Sequence, residues 1–111
     1  MDKIQRRVVA DVDGTLITTD KEPVARQEVI DLLLSFHRLG WEIWVHSGGG
    51  VLYAKRWAEK LGLDKMFHVN IAIKGDKKIH YDIAIDDCAD EMDWTKEKTG
   101  NYINADYYIK V

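Results

Sequence analysis

Short apolar segments rich in β-branched residues alternate along this chain with amphipathic segments, and this alternation constrains the fold more than any other feature. The helix candidates are 22–40, in which Val24 opens the apolar stripe, and 51–62; each ends at a glycine. The segment 89–101 has only weak helix or loop character. Together these segments predict an α/β protein with a three-layer, Rossmann-like fold: a mainly parallel five-stranded sheet with helices on both faces. The strand candidates are 7–12, 41–47, 66–73, 81–87 and 106–111.

Length, charge and cysteine content narrow the class of protein. The 111 residues are enough for one domain, 1–111, with one hydrophobic core. The net charge of −3 gives no global attraction to nucleic acid or to an anionic membrane. No apolar run approaches the roughly 20 residues that span a bilayer. The single cysteine, Cys88, excludes an internal disulfide, so a reducing cytoplasm is the simplest compartment.

Two pairs of aspartates stand where predicted strands end. Asp11 and Asp13 follow the first strand, and Asp86 and Asp87 end the fourth. Ligands of parallel sheets bind at the carboxyl ends of the strands, and the first and fourth strands can be neighbours there. Crowded carboxylates repel one another unless a cation neutralises them, and an all-oxygen set suits Mg²⁺. The pattern therefore indicates a magnesium site.

A serine and three glycines end the second predicted strand and precede a helix. A hydroxyl together with glycine amides at a helix N-terminus can cradle an anion, so Ser47 and Gly48 are candidate phosphate contacts. No Gly-Lys-Ser/Thr follows, and the G-x-G-x-x-G fingerprint of dinucleotide sites is absent.

The order of these motifs resembles the haloacid dehalogenase (HAD) superfamily of phosphohydrolases. The matching features are "DVDGT" at 11–15, a strand ending in serine, a lysine, and a strand ending in "IDD" at 85–87. The resemblance implies that Asp11 is the nucleophile, forming an aspartyl-phosphate, and a Mg²⁺ ligand. It implies that Asp13 is the general acid and base, with its carbonyl on the metal. Ser47 would bind the phosphate, and Asp86 would complete the metal site with Asp87 as a ligand or its supporting partner.

The resemblance also requires a lysine before the fourth strand, and three are available. Lys78 matches the spacing of compact family members, with Asp82 four residues on and the acidic pair after three apolar residues. Lys74, at the end of the third strand, is the runner-up. Lys77 is expected to be solvated.

The resemblance and the spacing together point to one branch of the superfamily. An aspartate at position 13 fits a phosphatase or phosphotransferase, because displacement of a halide needs no acid. Only 33 positions lead from Asp13 to His46 and eight from Lys78 to Asp86, so neither gap holds a cap domain. An open site favours a phosphate on a macromolecule or a partner subunit, such as a second copy of the chain, that closes the pocket. A small phosphorylated metabolite stays open as an alternative.

Other classes of function compete with the phosphatase. One is a catalytically idle HAD-like module that only binds phosphate. Another is a receiver-like signalling domain, but its phosphorylated aspartate would follow the third strand, which here ends in "NIAIKG". Three tryptophans, at 41, 44 and 57, are expected in the core or at its rim, and His46 is expected to point away from Ser47.

Overall fold

A computed structural model describes residues 4–76, 78–87 and 99–106. Its helices are α1 (Gln27–Arg38), α2 (Val51–Lys60) and the single-turn α3 (Leu63–Met66). Within these described residues, no helix combines the length and the apolar character needed to cross a bilayer. The strands are β1 (Arg7–Asp11), β2 (Glu42–Ser47), β3 (Val69–Ile73), β4 (Tyr81–Asp86) and β5 (Thr99–Asn104).

The five strands form one sheet in the order β3-β2-β1-β4-β5, and every neighbouring pair is parallel. This confirms the α/β, Rossmann-like fold class. The chain moves outward from β1 through β2 to β3, and then returns to place β4 on the other side of β1. The direction of the strand order therefore reverses between β1 and β4, and such a switch point opens a crevice at the carboxyl ends of the strands.

The first predicted helix begins five residues later than expected. Residues between β1 and α1 form a tight turn structure instead, in which the amide of Thr18 donates to the Val24 carbonyl at 2.9 Å and Arg26 donates to Leu16 at 2.8 Å. These bonds use the backbone groups that a longer helix would need. Val24 is consequently 61% exposed, so its predicted place on the apolar face of the helix is wrong.

The fifth strand begins seven residues before the predicted position, inside the segment interpreted as weak helix or loop. Its sequence, TGNYIN, lacks an apolar alternation. Among the described strands it lies at the edge of the sheet, where it pairs with β4. Asp106, where the predicted strand would begin, lies in a helical turn, and 107–111 lie outside the described residues. Lys77 and Cys88 also lie outside them.

The two faces of the sheet carry separate apolar clusters. The larger one joins alternate sheet residues such as Val8 and Val45 to Leu33 of α1 and Ala54 of α2. Trp41 and Trp57 pack against it, and Trp44 packs against a smaller cluster on the opposite face, which confirms their predicted core or rim positions. The smaller cluster contains Val9, Ala72, Tyr81 and Ala84. Because side chains alternate along a strand, the residues two positions after Val9 and Ala84 fall on this second face. Those residues are Asp11 and Asp86.

Candidate active site

Three buried side chains from neighbouring strands meet at the switch point. Asp11 of β1 lies opposite His46 of β2, and Ala10 lies opposite Ile85 of β4, which brings Asp86 beside Asp11. Asp11, His46 and Asp86 are 7%, 3% and 1% exposed. Each offers one ligand atom, and these atoms all lie within 4.8 Å of one another. The predicted gathering of carboxylates at the ends of β1 and β4 is present, with an added imidazole.

Lys74 supplies the cation of this cluster. It follows β3, and its Nζ lies 3.0 Å from Oδ2 of Asp86 and 3.2 Å from Oδ1 of Asp11. Lys78 is exposed, and its amide donates to Oδ1 of Asp76 at 2.9 Å. Lys78 precedes the first residue of β4 by only three positions. Since all strands are parallel, β4 begins at the amino-terminal end of the sheet, and the carboxylates lie at the opposite end. The structure therefore brings the runner-up, Lys74, to the carboxylates and leaves Lys78 away from them.

Burial and charge set the protonation of the cluster. Burial, and then the charge of Asp86, raise the pKa of Asp11 to about 6, although Lys74 acts in the opposite direction. Burial disfavours the ammonium of Lys74, but the charges of Asp11 and Asp86 outweigh it and raise the pKa of Lys74. Burial and the charge of Lys74 lower the pKa of His46 to about 4. At neutral pH the cluster consequently holds a lysine cation and a neutral imidazole.

The Gly-Thr pair after Asp13 attaches the β1 loop to the end of β4. Gly14 has φ = 78°, and a Cβ at this position would collide with the carboxylate of Asp87. The amide of Asp87 donates to Oγ1 of Thr15 at 3.1 Å, and the guanidinium of Arg26 donates to the Gly14 carbonyl. Burial, then its contact with Asp86, raise the pKa of Asp87. This packing explains why a glycine and a hydroxyl follow the two aspartates.

Asp13 lies beside the buried cluster on the exposed side of the site. The hydroxyl of Tyr53, from α2, donates to Oδ1 of Asp13 at 2.6 Å. This bond is the main reason why the pKa of Tyr53 is raised. The Tyr53 ring packs so closely on the glycine turn that a Cβ at Gly49 would come within 3.0 Å of it. Tyr53 thus holds the Asp13 carboxylate between the β1 loop and the start of α2.

Ser47 and Gly48 border the site without contacting its carboxylates. Ser47 is buried, and its Oγ accepts a hydrogen bond from the amide of Gly49 at 3.0 Å. Gly48 is exposed, and a Cβ there would meet nothing within 4 Å. The serine shapes the turn that leads into α2, and its hydroxyl proton can still be donated to an anion.

Two residues of the site were not predicted as site residues. His46 points away from Ser47 as expected, but that face also carries Asp11 and Asp86. The alternation of side chains along β2 gives the face on which His46 lies, whereas its place beside Asp11 follows from the register of β1 and β2. Tyr53 has no such signal, because its contact depends on how α2 lies over the β1 loop.

No protein-family model, curated protein or solved structure matches the chain.

Proposed function

We propose that this protein is a Mg²⁺-dependent phosphatase of the HAD type that forms an aspartyl-phosphate on Asp11. The observation that carries the proposal is the ammonium of Lys74 held between Asp11 and Asp86 at the switch point of the sheet. A cation beside a buried carboxylate at this place can accept the negative oxygens of a phosphoryl group, and phosphoryl transfer depends mainly on positioning and charge neutralisation.

Asp11 is suited to act as the nucleophile. With a pKa of about 6 it is mainly ionised at neutral pH, and its burial leaves little water to weaken its attack. An oxygen of Asp11 forms a bond to phosphorus while the bond from phosphorus to the leaving oxygen breaks. Lys74 stays within reach of both the carboxylate and the incoming oxygens, and so offsets their repulsion.

Asp13 is suited to move the protons of both half-reactions. In the first, its protonated carboxyl gives a proton to the leaving oxygen. In the second, its carboxylate takes a proton from water as that water attacks phosphorus, which releases inorganic phosphate and restores Asp11. Its exposure lets it reach the leaving group and solvent, and the Tyr53 hydroxyl fixes its orientation.

The donor set fits a divalent cation. Asp11 and Asp86 present two buried carboxylates, the number that Mg²⁺ commonly takes from a protein. Nδ1 of His46 is buried with no hydrogen-bond partner among the described residues, and an imidazole nitrogen is a ligand that Mn²⁺ and other transition metals accept more readily. When bound, the cation would neutralise charge on the phosphoryl group. Asp87, whose side chain contacts that of Asp86, would support this ligand.

The strand order argues against the receiver-like alternative. Receiver domains have the strand order 2-1-3-4-5, in which β3 lies next to β1. In this protein β4 lies next to β1, and β3 lies beyond β2. The idle phosphate-binding module differs from the phosphatase only in turnover, so an activity measurement separates the two.

The test is turnover of p-nitrophenyl phosphate with Mg²⁺ and with EDTA. We expect activity that EDTA removes and Mg²⁺ restores, and that Asp11→Asn abolishes. Asp64→Asn, an exposed aspartate on α3, is the matched control and should retain full activity. In Asp13→Asn, rapid quench and mass spectrometry should detect phosphate on Asp11, because its hydrolysis is slowed. Asp11→Asn activity within tenfold of the parent would refute the nucleophile assignment.

A further inference from the structure

An open groove of about 270 Å³ lies along one face of α2. Its lining residues are Tyr53, Arg56, Trp57 and Lys60. They are spaced three or four positions apart and therefore share one face of the helix. From Tyr53 to Lys60 this face is about 10 Å long, at 1.5 Å per residue.

One lining residue of the groove contacts the proposed general acid. The hydroxyl of Tyr53 donates to Oδ1 of Asp13 at 2.6 Å. If Asp13 protonates the leaving oxygen, the leaving group has to lie next to Asp13. The α2 groove then lies beside the leaving group, with the Tyr53 side chain contacting both.

The chemistry of the groove combines aromatic rings with unpaired cations. Arg56 and Lys60 are exposed, and neither has an ion pair within residues 4–76, 78–87 and 99–106. The Lys60 ammonium lies 4.7 Å from the centroid of the Trp57 ring. Aromatic rings that stack on bases, together with cations that follow the phosphates, are the means by which proteins hold single-stranded nucleic acid.

We propose that this groove binds the end of a single-stranded nucleotide chain whose terminal phosphate enters the site at Asp11. The Lys60 ammonium, which lies over the Trp57 ring, moves to the next phosphate and pairs with it together with Arg56. A base then stacks on the face of Trp57 that the ammonium leaves. The attraction is local, since the chain as a whole carries a net charge of −3. The assignment of the terminal phosphate rests on the proposed function, whereas binding in the groove does not.

The test measures binding separately from turnover. The protein carries Asp11→Asn to prevent hydrolysis, and the probe is a tetrathymidylate with one terminal phosphate and a fluorescein on the other end, followed by anisotropy. We expect Trp57→Leu to weaken binding about fivefold or more, the loss of one stacked base. Arg56→Gln and Lys60→Gln should each weaken it about threefold or more and lower its salt dependence. The matched control Lys55→Gln removes the same charge from α2 outside the groove and should change binding less than twofold.

The outcomes separate the groove from the phosphatase. Thymidine monophosphate should compete at least tenfold less well than the tetranucleotide, and equal competition would show that no chain is bound. Binding unaffected by the groove variants, or tighter binding of an acidic phosphopeptide, would overturn the proposal. Circular dichroism checks folding, and if Trp57→Leu is unfolded the double variant Arg56→Gln/Lys60→Gln decides. Groove binding without any turnover of p-nitrophenyl phosphate by the parent would refute the phosphatase alone.

Discussion

Replacing Lys74 by methionine tests the electrostatics of the site directly. The substitution keeps an unbranched apolar stem and removes the charge that lies 3.2 Å from Asp11. At this distance, with an effective dielectric constant of about 20, the gross attraction is about 5 kcal/mol. The Lys74 side chain is 25% exposed, so water screens much of it, and we expect a net loss of at least about 1.4 kcal/mol from the ionised form of Asp11.

That loss raises the pKa of Asp11 by at least about one pH unit above the parent's value of about 6. The assay is carboxyl ¹³C NMR of the metal-free protein, titrated over neutral and mildly acidic pH, with Asp11→Asn to assign the signal. Lys78→Met is the matched control. It should leave the titration of Asp11 unchanged, because Lys78 lies near the amino-terminal ends of the strands, away from the carboxylates. Turnover should fall about 10²-fold or more in the Lys74 variant alone.

The Lys74→Met substitution also changes how the free energy of unfolding depends on pH. The pKa of Asp11 is 3.8 in the unfolded chain and about 6 in the folded protein. Protonation of Asp11 therefore contributes fully to the free energy of unfolding below pH 3.8, and this contribution is lost as pH rises through the folded pKa. In Lys74→Met this loss extends to higher pH, so urea unfolding should show a larger deficit at pH 8 than at pH 5. If the pKa of Asp11 is the same in the variant and the parent, the reasoning is refuted.

Two further predictions concern the packing of the site. Gly14→Ala should lower the free energy of unfolding by about 2–4 kcal/mol, because a left-handed backbone and a collision with Asp87 both disfavour a side chain there; a loss below about 0.5 kcal/mol in urea would contradict this. The pKa of His46 falls from 6.5 unfolded to about 4 folded, so its burial costs stability as pH drops through that range. His46→Gln should therefore gain about 3 kcal/mol relative to the parent between pH 7 and pH 4, and the exposed His80→Gln should not; parallel stability profiles would exclude this role.

The periodicity of apolar residues predicts most of the secondary structure of this protein. Apolar runs of strand length and helices that end at glycines determine four strands and two helices, because each segment must bury one face whatever its neighbours are. The placement of acidic residues after β1 and β4 follows from the same pattern, since parallel strands end at a common edge of the sheet. The strand β5 is not predicted by such reasoning, because its TGNYIN sequence shows no apolar alternation and its pairing with β4 decides where it forms.

Which side chains meet at that edge depends on tertiary structure. The resemblance to compact HAD-type proteins favours Lys78, but the turn after β3 carries Lys78 toward the start of β4 and leaves Lys74 at the carboxylates. His46 enters the cluster through the register of β1 and β2, and Tyr53 reaches Asp13 because α2 packs over the β1 loop. Ligand atoms of Asp11, His46 and Asp86, from three separate strands, come within 4.8 Å of one another only once the sheet is assembled. Local sequence encodes which carboxylates are present, and the packing of the sheet and α2 selects the lysine, the histidine and the tyrosine that surround them.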